Sequence, residues 1–487
     1  MKKEKLISYL ILIGIILSIS SVGYLIKNAG DISGYTGEYF YIIGNKTEAF
    51  SKFGALIYIW SVLLMFVIYI KLIKKSEQFK NIKSIIISSA LVGIAFLVAL
   101  PNTSRDVFFY MGNGRLIDKY NINPYETSIS ELEELDTTDK ILDTVGTQKE
   151  YKFVYGPIFL TVCGLLNKLS FSSVSLLLYE FKLLNFIAYL FTIYLVYKLT
   201  NKKKLAIVYG FNPLILLEVL VNVHNDIFVL LFALIGILFV KEAEKCREKF
   251  VKSEFTFICG LIFLSFSACI KYITILILPF IILYRLRNDN IKNKICLGIA
   301  YLFVFFGIFG LTYLPYFDSL LGIFSGAMAQ SGKLKDSIYL VIAMLCNGNR
   351  NIVSTAYSIG FFVLLYIFII KILMQILRKN DFKSMMENSY VVLLATIFLG
   401  LTNLTSWYLI WLFIPVFWTN GKTLKNLIWI GFLYELTYTI FYLVHSDGTI
   451  YQVWILPIIG ICMIMRQIVI NLKYRNNKYL SLKNNNN

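Results

Sequence analysis

GPIFLTVCGLLNKLSF, residues 156–171, is apolar enough to enter a bilayer but short for crossing one. A helix needs about 20 predominantly apolar residues to span the hydrocarbon core. If this stretch crossed, every connector after it would change sides. If it lies along the membrane surface or dips into it, the chain keeps one consistent sidedness from end to end. Composition makes that question central. Hydrophobic residues make up 57% of the 487 residues, charged residues only 16%, and the mean hydropathy is +0.68. Ordinary soluble domains carry about 25% charged residues. The sequence therefore predicts an all-α polytopic membrane protein.

Apolar runs near 6–26, 53–71, 84–101, 174–198, 205–222, 226–241, 254–270, 272–285, 295–314, 352–377, 388–405, 407–419, 425–444 and 450–470 are the candidate spans. They amount to about 12–14 crossings at the usual span length. With the N-terminus inside and sides alternating, the lysine-rich connectors 71–83, 198–204, 241–252, 285–294, 378–383, 422–425 and 473–483 all fall in the cytoplasm. That is the positive-inside pattern, and it holds only while 156–171 stays uncrossed. The stretch 337–346 reads the same way. The formal charge of +18 thus belongs to cytoplasmic loops and gives no reason to invoke nucleic acid. Seven cysteines, never as CxxC, support neither a disulfide framework nor a zinc site. The run 6–26 follows Lys2, Lys3 and Lys5 and reads as a retained signal anchor. Four regions follow: N-terminal transmembrane helices (1–101), an extracytoplasmic loop with juxtamembrane helices (102–173), a transmembrane bundle (174–472), and a cytoplasmic, Asn-rich tail (473–487) expected to be disordered.

In this topology the chemically suggestive segments share the extracytoplasmic side: Ser104 to Tyr155, Val223 to Asp226, Lys271, Tyr313 to Lys335, Asn403 to Tyr408, and His445 to Asp447. Such convergence suits a membrane enzyme with an external site. A transporter tends to hold its polar groups at mid-membrane between repeated halves, and no clear repeat is visible.

The outer loop opens with SRDVFFYMGNGRLIDKYNINPYE, residues 104–126, a helix expected to be capped by Ser104 and to lie at the membrane interface. Asp106 is either a first-turn carboxylate favoured by the helix dipole or a general base for an attacking hydroxyl. Arg105 and Arg115 contact lipid headgroups or a substrate phosphate. The acidic run 131–143 reads as a solvated face. Within a span, Glu218 shares a helical face with Asn222 and Asn225. An intramembrane carboxylate is functional by default, unless it merely pairs with a cation such as Lys182. His224-Asn225-Asp226 either caps the next helix, with His224 on a backbone partner, or builds a site, since capping needs one polar residue and not three. Lys271 snorkels or meets an anion. Trp407 and Tyr408 belong to an aromatic belt or wall a lipid or sugar site. His445 reads as a turn residue.

Taken in order, SRDVFFYMGNGRLI, NPY, VYGPIFL, NPLILLEVLVNVHNDIFVLL, KYITILILPF and SWYLIWLFIP resemble the GT-C glycosyltransferases. The closer resemblance is to the polyprenyl-phosphate-mannose-dependent alpha-1,6-mannosyltransferases. The resemblance covers about residues 104–415. It implies a GT-C-like multi-helix fold whose large first external loop bears interfacial helices. A hexose, mannose by the resemblance, would pass from a polyprenyl-phosphate donor to an extracytoplasmic glycan or glycolipid acceptor. The family's loop aspartate falls on Asp106 as base and its HND motif on His224, Asn225 and Asp226. Tyr110, Tyr125 and Tyr155 sit in the matching motifs as substrate-binding candidates. The chain departs from the pattern at Val221, Asn222 and Val223, and at Thr405-Ser406 before Trp407. The chemistry needs a base and cations for the departing phosphate: Asp106, with Arg105, Arg115 and Lys271. No nucleotide-binding glycine loop is needed or seen, and no ligand spacing demands a divalent metal. The alternatives are a transporter or flippase of a lipid-linked saccharide and a non-catalytic envelope-assembly scaffold. The topology has a direct test: Lys204→Cys should react with an impermeant thiol reagent only from the cytoplasmic side, and labelling from outside would overturn the arrangement.

Overall fold

The chain is described here from a computed structural model, which covers residues 2–32, 48–132, 139–318, 325, 326, 328, 333, 334, 337–377, 380–444, 462 and 466. The loop His445 to Asp447, the span 450–470 and the tail 473–487 lie outside the described residues, apart from 462 and 466. Among the described residues all regular structure is helical. Five helices are long and apolar enough to cross a membrane, and a bent pair makes a sixth if counted as one span. The protein is an all-α polytopic membrane protein.

Three helices begin the chain: α1 (Lys3–Lys27), α2 (Glu48–Lys74) and α3 (Ile82–Leu97), with α1 packed on the other two. Asn81 and Ser84 form a reciprocal capping box that starts α3. The outer loop follows with α4 (Asp106–Asp118), α5 (Lys140–Asp143) and α6 (Pro157–Leu169). At 13 residues, α6 is about 20 Å long, well under the roughly 30 Å hydrocarbon core. It packs along α4. The contact is backbone-close, because a Cβ on Gly114 would sit 2.4 Å from the Cys163 carbonyl oxygen.

The bundle continues with α7 (Val174–Thr200), α8 (Lys203–Gly210) and α9 (Pro213–Val221). The last two are one predicted span bent by 48°. Pro213 explains the bend: it lacks an N–H and disfavours helical geometry at Asn212, whose Oδ1 instead accepts from the Leu214 N–H at 3.0 Å. Then come α10 (Asp226–Lys245), α11 (Phe250–Ala268), α12 (Tyr272–Arg285), α13 (Ile291–Tyr313), α14 (Ile338–Leu345), α15 (Arg350–Leu377), α16 (Phe382–Ala395), α17 (Ser406–Val416) and α18 (Gly421–Val444). The predicted spans 272–285, 388–405 and 407–419 are irregular. α12 and α17 open in 3-10 geometry, and α16 runs into a π turn at Thr396–Gly400. α13 and α15 bury only 11% and 6% of their apolar windows against protein, which leaves them the sides most suited to lipid.

Side chains from the basic connectors meet at one end of the bundle. Lys203 Nζ donates to Phe79 O at 2.9 Å, Lys241 Nζ to Leu199 O at 2.7 Å, and Asn380 Nδ2 to Leu283 O at 2.8 Å. Arg285 at the same end is held by Glu244 (3.2 Å) and Glu254 (2.5 Å). The other end of α12 begins beside Lys271, and there the chemically suggestive residues gather.

Gly156, in the VYGP motif, fixes how α6 enters that end. Its N–H donates to Ile270 O at 2.9 Å, and an added Cβ would lie 2.1 Å from Cys269 O. Gly156→Ala should therefore cost about 1–3 kcal/mol, the usual price of overpacking, and lower Tm in detergent. Gly421→Ala, which meets nothing within 4 Å, serves as the neutral control.

Candidate active site

Asp106 is the first residue of α4 and follows Arg105 at the N-cap position, where no side chain caps. Ser104 Oγ accepts the Asp106 N–H at 3.2 Å, so the serine acts on the helix start without being its cap residue. α4 is packed on most of its faces by protein: Val107 through Leu116 are all buried, against α5, α6 and α7. Asp106 Oδ2 accepts from the Tyr155 hydroxyl at 3.1 Å, and Oδ1 accepts from Gln148 Nε2 at 3.3 Å. Burial, then the Asp106 charge, pushes the phenols of Tyr155 and Tyr110 well above their ordinary range, so both stay protonated. Tyr125 stands behind them, donating to Tyr155 O at 2.8 Å, while the Phe153 N–H donates to Pro124 O at 2.8 Å. NPY and VYGP are thus one unit.

The chain before Asp106 is pinned by α9. Asn222 Oδ1 accepts the N–H groups of Asn102 and Thr103, each at 3.1 Å, and its Nδ2 donates to Thr103 Oγ1 and to Glu218 Oε2, the latter at 3.0 Å. Glu218 and Asn222 do touch along one face, but the helix stops before Asn225. α9 ends in a π turn over Leu216–Val221, whose last carbonyls have no helical partner. Lys182 and Asn185 of α7 fill them. Lys182 Nζ donates to Leu220 O (2.9 Å) and Val221 O (3.1 Å), and Asn185 Nδ2 donates to Val219 O (3.0 Å) and His224 O (3.2 Å). Lys182 is therefore occupied by backbone and does not pair with Glu218.

Val223 follows with φ +64°, a left-handed conformation that a β-branched residue adopts only under constraint. The reversal brings the His224 ring onto Trp407, with centroids 3.7 Å apart and planes 18° from parallel. His224 Nε2 lies 3.2 Å from Glu218 Oε2, and Nδ1 lies 3.7 Å from Asp106 Oδ2. The imidazole thus faces two carboxylates rather than the backbone. Asn225 occupies the N-cap position of α10 without a side-chain cap bond, and its buried amide makes no hydrogen bond. Capping explains neither residue. Asp226 instead receives Lys271 Nζ at 2.8 and 2.7 Å and Trp411 Nε1 at 2.6 Å.

Lys271 does not snorkel. Its ammonium is ringed by Tyr155, Tyr408 and Trp411 at 5.0, 5.3 and 5.7 Å, a cation–π cage. Arg105 donates to Thr144 O at 2.6 Å. Arg115 lies nine residues along α4, about 13 Å from Asp106 by helical rise. There it meets Asp139 at 2.9 Å, beside Lys119 at 3.0 Å. Burial tends to raise the Asp139 carboxyl, but Arg115, Lys119 and Tyr120 outweigh it and hold it below the ordinary range.

Three contributors lie outside the sequence expectations: Ser406, Glu435 and the Gln148 that donates to Asp106. Ser406 Oγ donates to Glu218 Oε1 at 2.5 Å, and Glu435 of α18 hydrogen-bonds the Glu218 carboxyl. Glu435 carried the same signal as Glu218, an acid inside an apolar run. Gln148, in a polar loop, carried none. Of the clustered carboxylates, Asp106 keeps 17% side-chain exposure while Glu218 and Asp226 have none. Of these three it alone has an edge open to an incoming group. Among the described residues no group of three or more His, Cys, Asp and Glu is spaced to hold a metal ion.

The MptA_B family model, described as the alpha-(1->6)-mannopyranosyltransferase N-terminal domain, matches residues 13–287, just over half of the chain. The chain belongs to that family. No curated protein and no solved structure matches it. The matched region of this mannosyltransferase-family protein carries Asp106, Tyr155, Glu218, His224, Asp226 and Lys271. Ser406, Trp407, Trp411 and Glu435 come from beyond it.

Asp139 braces the loop that carries Gln148. Its folded-state carboxyl lies below the ordinary range, so its contribution is complete above that range and is lost as pH falls through the folded value. Asp139→Asn should lower Tm at pH 7, and its gap from wild type should shrink below about pH 4. A gap that widens in acid would contradict the ion-pair account.

Proposed function

We propose that this protein transfers mannose from a polyprenyl-phosphate donor to a glycan or glycolipid acceptor on the extracytoplasmic side of the cell membrane, as a GT-C-type hexosyltransferase with both termini cytoplasmic. The observation that carries this reading is Asp106. It is an ionisable group with an exposed edge, positioned by Tyr155 and Gln148 at the rim of a buried polar cluster, in a chain of a mannosyltransferase family. Gathering of the basic connectors at the opposite end supports the sidedness.

In this reaction Asp106 takes the acceptor proton as the hydroxyl oxygen attacks the anomeric carbon, and the sugar–phosphate bond breaks with its electron pair on the lipid phosphate. The leaving phosphate needs cations. Lys271 is the candidate nearest the cluster. It would exchange one Asp226 contact for a phosphate oxygen, while Arg105 serves from the loop and Arg115 steadies the loop from farther along α4. Tyr110, Tyr125 and Tyr155 form the apolar wall behind Asp106. Trp407 and Tyr408 face the donor, and the unused amide of Asn225 suits a sugar hydroxyl. The donor carries its own phosphate, so no nucleotide is required.

Asp106→Asn keeps the shape and removes the base. Purified in nanodiscs with polyprenyl-phosphate mannose and acceptor, it should lose about 100-fold or more in kcat, within the usual worth of general-base catalysis. Transfer at the wild-type rate would refute the assignment.

A further inference from the structure

Four titratable side chains, from three helices and the turn after α9, stand in a row through the cluster. Asp106 Oδ2 lies 3.7 Å from His224 Nδ1, His224 Nε2 lies 3.2 Å from Glu218 Oε2, and Glu218 hydrogen-bonds Glu435. Only Asp106, at the head of the row, reaches solvent. Two touching carboxyls shut away from water cannot both ionise, so Glu218 and Glu435 share one proton and carry one negative charge. Glu218 also accepts from Ser406 and Asn222, which marks it as the ionised member. Neither ring nitrogen of His224 completes a hydrogen bond in this structure, but an ionised Glu218 3.2 Å from Nε2 favours a proton there, which leaves Nδ1, 3.7 Å from Asp106, as the unprotonated nitrogen. Stacking on Trp407 prevents the ring from turning away. The other charged groups nearby are already engaged: Lys271 with Asp226, and Lys182 with backbone carbonyls. The phenols of Tyr155, Tyr110 and Tyr58 complete the surroundings.

We propose that His224, held by Glu218 and Glu435, receives from Asp106 the proton that Asp106 takes from the acceptor hydroxyl. This rests on the transfer reading above and adds three positioning residues to it. The balance is simple. The acceptor O–H bond breaks, its oxygen bonds the anomeric carbon, and the bond from that carbon to the phosphate oxygen breaks with the electron pair on phosphate. The proton passes from Asp106 to Nδ1, giving an imidazolium between two carboxylates. Asp106 is again ionised before the products separate, so it cannot return the proton to the new glycosidic oxygen. After release, the proton leaves through the exposed edge of Asp106. The 3.7 Å separation shortens when substrate closes the site, as hydrogen bonds of resting enzymes commonly do.

The chain holds only two histidines, His224 and His445, so ¹⁵N-histidine labelling in nanodiscs gives two imidazoles, assigned with His445→Asn. Wild-type His224 should be predominantly the Nε2–H tautomer, and Glu218→Gln should raise the Nδ1–H share. A wild-type Nδ1–H ring, or a ring indifferent to Glu218, overturns the proposal without any reference to turnover. In mannosyl transfer, His224→Gln and Glu218→Gln should each lower kcat about 10- to 100-fold with the donor KM changed less than about 2-fold, and the double variant should be no worse than His224→Gln alone. Independent, multiplying losses overturn it. Glu435→Gln, which keeps a donor toward Glu218, should cost at least about 5-fold less than Glu435→Leu, and equal losses count against the shared proton. Additivity in an active wild-type enzyme sinks the relay alone, whereas full activity of Asp106→Asn sinks the transfer reading itself.

Discussion

The site depends on one interruption: the α9 helix stops in a π turn, and α7 reaches across to hold the carbonyls that the stop leaves open. In an apolar interior each such carbonyl would cost several kcal/mol if unpaired. Lys182 and Asn185 donate to four of them, Val219, Leu220, Val221 and His224. With the backbone secured there, the chain can turn through a left-handed Val223 and aim three successive polar side chains at three different partners. His224 goes to Glu218 and Asp106, and Asp226 goes to Lys271 and Trp411, while Asn225 stays uncommitted. A regular helix through this segment would spread the three around its circumference.

Charge compensation governs the rest of the cluster. Asp226 and Glu218 each have a donor set: Asp226 an ammonium and an indole N–H, Glu218 a hydroxyl, an amide and a neighbouring acid. Asp106 differs in having only neutral direct donors, a phenol and an amide, with the imidazole just beyond bonding distance. Neutral donors and partial exposure thus set Asp106 apart from the fully buried Glu218 and Asp226. Lys271 illustrates the reverse. Its ring of aromatic side chains and its two Asp226 contacts hold the ammonium in place and compensate its desolvation.

Much of this was legible in residue order. Hydropathy located the helices, and 156–171 proved to be a 13-residue helix packed on α4. Glu218 and His224-Asn225-Asp226 stood out because polar groups in apolar runs are costly. What could not be read were the donors at long sequence separation. Lys182 looked like a counter-ion for Glu218 because both are charged and close in the pattern, but the π turn, invisible in any periodicity, claimed it first. Arg115 and Lys271 looked like free cations because Asp139 and Asp226 meet them only through the tertiary fold. Gln148, in a loop of ordinary polarity, could be placed beside Asp106 only by coordinates. Glu435 was readable by the rule that flagged Glu218, since it too interrupts an apolar helix.

The family match ends at residue 287, yet the site does not. Glu218 takes donors from Ser406 and Glu435, His224 takes its stacking partner from Trp407, and Asp226 takes Trp411. Remove everything after α12 and three buried polar side chains lose partners in a setting where each orphaned group is expensive. The matched segment therefore supplies Asp106 and the HND turn, while α17 and α18 supply the partners that hold Glu218, His224 and Asp226 in place. Substitutions at Ser406, Trp411 and Glu435 should thus disturb Glu218 and Asp226 although they lie beyond the matched region. The matched region and the helices beyond it thus build one buried polar cluster rather than a core with an accessory tail.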